Sequence, residues 1–325
     1  MSTLTKLRGP ARVVVRQHRN TLRTAGLLAV AGAVVLIGFA LWASHLIDGF
    51  EAAPCEASGV SGAACDRRIV DFNGSMSLYS SVLTGAGLTL VVLPAVVSAF
   101  VAGPLIAREL ESGTHRMAWT QSVTPARWLA AKLAVPTVLL VAGVTVLSAV
   151  LAWARKWTAT GFQSFWYEVP VFGATVPVVI GYTLLGVTVG TLTGLLVPRT
   201  VAAMSVAVLV TGTVAGTLGT LRSSLWPTRT SVSTEGPDST LGSWVVDAGH
   251  VTGGGGRLPF DVCPPQVDQG VKDRCIAAHD ITGTFIDYHP ASHHWPLQLV
   301  ETGILLVLAA LAVTLAFRVL RRRTG

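Results

Sequence analysis

FNGSMSLYSSVLTGAGLTLVVLPAVVSAFVAGPLIA, residues 72–107, runs from Asp71 to Arg108 without a formal charge. A helix needs roughly 20 apolar residues to cross the hydrocarbon core of a bilayer, and this run exceeds that length. Working outward, comparable gaps recur. Residues 24–47 lie uncharged between Arg23 and Asp48; Lys132 to Arg155, Glu168 to Arg199 and Arg199 to Arg222 bracket three more; residues 295–317 form a sixth, interrupted by Glu301. The pattern predicts an all-α polytopic membrane protein with six transmembrane helices. Pro94, Pro104, Pro136 and Pro177 fall inside these runs and are read as kinks, which lipid-embedded helices tolerate.

Composition agrees. The 24 Lys+Arg and 17 Asp+Glu make 13% of 325 residues charged, against about 25% in soluble domains. A typical soluble enzyme is excluded. With 51% apolar residues and 33 glycines, so is a disordered or nucleic-acid-binding chain, despite a net charge of +7. The apolar part of the first run is too long for the h-region of a secretory signal, so it is read as a retained helix.

Six crossings put both termini on one side, and Lys/Arg placement says which. One set of segments holds Lys6, Arg8, Arg12, Arg16, Arg19 and Arg23, then Arg108, Arg116, Arg127 and Lys132, then Arg199, then Arg318 and Arg321 to Arg323, against only Glu109 and Glu111. The other set is richer in acids than in bases. The first set, with both termini, is therefore expected to be cytoplasmic in a multi-pass protein of the cell membrane. The expected organisation is a basic segment 1–23, helices one to five over 24–221 with a cytoplasmic connection at 108–132, an extracellular region 222–294, and helix six with a basic tail over 295–325. Arg12, Arg16, Arg19 and Arg23 share one helical face, which fits an interfacial helix or a plain basic flank.

All four cysteines fall in segments assigned outside, where oxidation is permitted. Four cysteines allow three connectivities; the local pairs Cys55 with Cys65 and Cys263 with Cys275 are favoured, each closing a short loop worth about 2–3 kcal/mol. Residues 222–294 read as a loop-rich module of unassigned fold. Its histidines (His250, His279, His289, His293, His294) stand in no recognised metal spacing and are read as solvated, so no metal site is expected. Glycines four apart, at Gly186, Gly190 and Gly194 and again at Gly212 and Gly216, are packing faces within the bundle or across a dimer. Glu301 is the one acid inside a run. Its place about 9 Å along the sixth helix puts it near an interface where hydration is open to it, and both a structural and a transport-path role fit.

The connection between helices two and three is the most informative stretch: Glu109 and Glu111 close one helix, Gly113-Thr114 make a turn, Met117 and Trp119 mark a short amphipathic element, and Thr124 caps a new helix with Pro125 at its first position. This resembles the permease subunits of type-2 ABC exporters, in which an acidic pair, a Gly-Thr, a Ser/Thr-Pro and a basic residue, here Lys132, recur in that order. Trp295-Pro296-Leu297-Gln298 with Glu301-Thr302-Gly303 is similar to the start of the sixth helix in one subgroup. The resemblance implies a half-transporter, working as a dimer of like halves in the lipid, whose connection docks on a separate cytoplasmic ABC ATPase through Glu109, Glu111, Gly113, Thr114 and Pro125. ATP and Mg are expected in that partner: this chain has no G-x-x-x-x-G-K-[ST], and no catalytic residue is assigned to it. The implied cargo is a small amphipathic molecule, drug or peptide moving outward. The alternatives are an ion-coupled secondary transporter, which would carry ionisable groups at membrane depth, and a non-transporting sensor or assembly protein. A membrane-embedded hydrolase lacks a nucleophile and base at depth; His45 is near an interface.

Overall fold

The computed structural model describes residues 19–52, 63–113, 124–197, 199–234, 242–263 and 268–324. Arg12 and Arg16 of the basic segment lie outside them. Among the described residues are helices α1 (Arg19–Glu51), α2 (Ala63–Val97), α3 (Gly103–Glu111), α4 (Pro125–Ala154), α5 (Val169–Phe172), α6 (Val178–Leu196), α7 (Thr200–Leu221), α8 (Gln269–Ala278) and α9 (His294–Thr324). Four strands accompany them: β1 (Arg229–Ser233), β2 (Trp244–Thr252), β3 (Arg257–Pro259) and β4 (Ile281–His289). Among the described residues, six spans are long and apolar enough to cross a membrane: Arg23–Glu51, Cys65–Glu111, Pro125–Trp157, Val178–Leu196, Thr200–Ser224 and Ala291–Arg323. Large apolar side chains face outward along them; Leu28 is 73% and Val201 76% exposed. Such a surface belongs in lipid rather than water.

The chain divides into two compact units, one of Met1–Thr217 with Glu301–Gly325 and one of Leu218–Val300. In the first, α6 is the central helix, buried along most of its length. Its glycines explain how. A Cβ on Gly186 would lie 2.4 Å from the Pro94 carbonyl oxygen, on Gly190 2.5 Å from that of Ser98, and on Gly194 2.7 Å from that of Gly103. The predicted glycine face thus admits the backbone of span two, where lipid offers no hydrophobic drive and close backbone approach supplies the packing. Gly212 and Gly216 on α7 meet nothing within 4 Å.

Span two passes from α2 to α3 through a π-helical turn at Ser98–Ala102, closed by the Gly103 amide on the Ser98 carbonyl. Pro104 sits at the start of α3, where its missing N–H is absorbed by the wider turn. Pro94 and Pro136 lie inside continuing helices, as expected. Pro177 does not: it is the N-cap of α6, so the fourth crossing starts there instead of bending there. A proline fits that position because the first amides of a helix have no internal partner.

The second unit corrects the all-α expectation and the loop-rich reading of 222–294. Its strands form an antiparallel sheet in the order β1-β4-β2-β3. The central strand β4 pairs Tyr288 with Arg229 on one side and with Val245 on the other. Phe285 and Ile286 are buried, as aromatic and β-branched residues on a pleated surface should be. The helix α8 precedes β4 and carries Cys275, bridged to Cys263 twelve residues away, as predicted. Cys65 is also bridged, while Cys55 lies outside the described residues.

Candidate functional site

The connection between spans two and three begins where α3 ends. The Ser112 amide donates to the Arg108 carbonyl, and Gly113 then takes φ +71, a left-handed conformation that glycine adopts without a Cβ penalty. At the other end Thr124 is the N-cap of α4; its Oγ1 accepts from the Arg127 amide at 3.4 Å, and Pro125 follows at the first helical position. The predicted turn and cap are both present. Thr114, Met117 and Trp119 lie outside the described residues.

The two acids tether the end of α3, where this connection begins, to two different spans. The Glu109 carboxylate accepts from the Trp128 indole Nε1 at 3.2 Å and pairs with the Lys132 ammonium. Lys132 is nearly buried and Glu109 only 19% exposed. Lys132 also lies 5.8 Å from the Trp128 ring centroid. Glu111 instead reaches the start of α7, where its Oε2 accepts from the Thr200 hydroxyl and, at 3.3 Å, from the Thr200 amide. A carboxylate on the free amides of a helix N-terminus also meets the positive end of the helix dipole.

Behind the acids, Ile106, Trp128, Leu129, Leu195, Ala316 and Leu320 form one buried apolar cluster. Spans two, three, four and six all contribute to it. Close-packed side chains transmit displacement, so the cluster joins these four spans mechanically beside α3. The sequence reading singles out Glu109, Glu111, Gly113, Pro125 and Lys132 and passes over Trp128 and Thr200, which the structure brings onto the two acids. Trp128 stands one helical turn before Lys132, and Thr200 heads an uncharged run, which are the signals available for each.

Glu301 stands apart from this junction. It is fully buried, which corrects the expectation of a hydrated position, and its Oε1 accepts from the Tyr182 hydroxyl at 2.8 Å. Gly181, beside Tyr182, would put a Cβ 3.0 Å from Leu305 Cδ1, so a small residue lets α9 close onto α6.

The second unit also departs from the solvated-histidine reading. His289 is fully buried and His293 nearly so; their Nδ1 atoms lie 3.0 Å apart, and His289 Nε2 is 2.9 Å from the Ser223 carbonyl. A neutral His289 spends its one N–H, on Nε2, on that carbonyl, which leaves its Nδ1 to accept from His293 Nδ1–H. Among the described residues, the metal-ligating types that converge are Cys263, Cys275 and His279, and both sulfurs are spent in the disulfide. Asp287 on β4 pairs with Arg257 at 2.6 Å and accepts from Thr230. Burial pushes its carboxyl up, but the hydrogen bonds from Thr230 and Arg257 and the Arg257 charge outweigh that and hold it below its usual range.

No curated protein matches the chain. The family model described as ABC-2 membrane transporter related matches residues 24–222, which takes in the first five spans, the 112–124 connection and the glycine face, and stops where the sheet-bearing unit begins. With more than half of the chain matched over the segment that holds both tethering acids, the protein belongs to the ABC-2 membrane transporter related family.

Proposed function

We propose that this chain is the permease subunit of an ATP-driven exporter in the cell membrane, and that the 112–124 connection is its contact with a separate cytoplasmic ABC ATPase. The observation that carries this reading is the double tether just before the connection: Glu109 fixes the end of α3 to α4 and Glu111 fixes it to α7. Force applied to the connection is delivered to two spans at once. Gly113 provides the turn, with Thr114 assigned to the same contact from the resemblance, and Pro125 sets where α4 begins. In this reading the acids act chiefly by stiffening the stem and only their exposed oxygens face the ATPase. ATP and Mg belong to the partner. The active form is a dimer of two copies in lipid, the basic segments lie inside by the charge rule, the sheet-bearing unit lies outside, and the cargo is a small amphipathic molecule, drug or peptide.

A second reading, an ion-coupled transporter, draws on Glu301, because an acid wholly buried in a span is what such a protein would use. One experiment separates the two. The tagged chain, extracted gently from native membranes, is expected to bring down a P-loop ATPase in about one-to-one ratio by mass spectrometry. Its absence under several mild detergents would overturn the ATP-driven reading and favour the second.

A further inference from the structure

At the end of the bundle opposite the 112–124 connection, spans two and three and the segment after span three line a half-open cavity of about 310 Å³ of mixed polar and apolar character. Arg155 and Lys156 enter it from the last turn of span three, Ser80 from span two, and Thr158 and Gln163 from the segment that follows. No acid lines it. Arg155 donates Nη2 to the Pro170 carbonyl at 2.7 Å, which uses one of the five N–H groups of a guanidinium. Among the described residues, neither Arg155 nor Lys156 makes an ion pair, although the charge of Glu168 acts on Arg155.

This placement of Arg155 is built into span two. A Cβ at Gly87 would sit 2.9 Å from Arg155 Nη2 and 2.2 Å from the Pro170 oxygen, so the guanidinium crosses to Pro170 only because residue 87 has no side chain. The depth is equally telling. From Lys132 to Arg155 the helix rises roughly 35 Å, against about 30 Å of hydrocarbon, which sets the cavity in the headgroup layer. Trp157, Phe165, Trp166 and Tyr167 occupy the same segment, with Phe165 and Tyr167 stacked and Trp166 edge-on to Tyr167. Aromatic rings of this kind favour the membrane interface. Leu83, Ala152 and Phe162 supply the apolar part of the lining.

We propose that this cavity binds the phosphate of an anionic amphiphile between Arg155 and Lys156, with the start of the hydrocarbon tail against Leu83 and Ala152. The phosphate could be carried by a bilayer lipid or arrive as the free ion. The site is independent of the exporter reading, because it is complete within one chain and is tested without an ATPase.

The test is native mass spectrometry of the full-length chain in detergent, titrated with phosphatidylglycerol or phosphatidylcholine. Phosphatidylglycerol should bind once per chain, about tenfold more tightly than phosphatidylcholine. Lys156→Gln should weaken it several-fold, and the Arg155→Gln/Lys156→Gln double variant should erase the preference. Lys156 is exposed, so its variant keeps the fold and remains informative if the double variant does not. Competition by millimolar inorganic phosphate would show that the phosphate group alone is read; persistence of the lipid would show that its tail is required. Equal retention of both lipids by the unmodified chain, or an unchanged preference in Lys156→Gln, would overturn the proposal.

Discussion

Tyr182 and Glu301, 119 residues apart in sequence, meet inside the bundle, the tyrosine hydroxyl donating to the carboxylate at 2.8 Å. The pair ties the first turns of α6 to those of α9 at a depth where a carboxylate without donors would be costly. It gives a structural reason for an acid that the sequence presents only as an anomaly.

Tyr182→Phe should therefore destabilise the chain in detergent by about 1–3 kcal/mol, the range for losing a donor to a buried acceptor. In a double-mutant cycle with Glu301→Gln, thermal unfolding should return a coupling energy clearly above zero. Additive effects would mean that the two side chains act separately.

The Glu109–Lys132 pair makes a sharper prediction, since removing one partner of a nearly buried ion pair leaves the other charge stranded, at a cost of about 3–5 kcal/mol. Glu109→Gln should destabilise strongly, and adding Lys132→Met should recover much of the loss. Glu111→Gln should leave stability nearly unchanged, because that carboxylate is exposed, yet it should loosen the Thr200 tether and, in the proposed exporter, reduce the stimulation of the partner's ATP hydrolysis. Stability and coupled hydrolysis measured on the same preparations distinguish the two acids.

On α6 the glycines should be intolerant of a single methyl group. Gly190→Ala would force a Cβ to within 2.5 Å of the Ser98 carbonyl and 2.8 Å of the Ala102 Cβ, and neither can move without shifting span two. Folded yield in membranes should fall for Gly186→Ala and Gly190→Ala. Gly212→Ala and Gly216→Ala, which meet open space, should leave the folded yield of the single chain normal. Loss of self-association in these last two would mark α7 as the dimer face.

The spans were legible because charge is nearly absent from them, and length alone then decides the element. The turn at Gly113 and the cap at Thr124-Pro125 were legible because each depends on one local backbone requirement. What escaped the sequence is what distant residues decide. The Ile281–His289 strand has no clean alternation, since Gly283, Thr284 and Asp287 interrupt it, and it becomes a strand by pairing on both edges with β1 and β2. The burial of Glu301 follows from Tyr182 on another helix, and the burial of His289 from Ser223 and His293, none of which any local pattern announces.

Asp287 yields a pH prediction confined to the sheet-bearing unit. Its carboxyl titrates below the ordinary value of 3.8 in the folded chain, so the folded state holds its proton less tightly than the unfolded state does. Its stabilising contribution is complete above about 3.8 and is lost as the pH falls through the lower folded value. Arg257 is half exposed, which keeps the effect modest. Pepsin digestion of the full-length chain from pH 4 down to pH 2 should expose cuts within β1 and β4 progressively. In Asp287→Asn those cuts should already appear at pH 4 and increase no faster than pepsin activity itself. A variant whose pH profile matches that of the unmodified chain would show that another acid controls the acid lability of the unit.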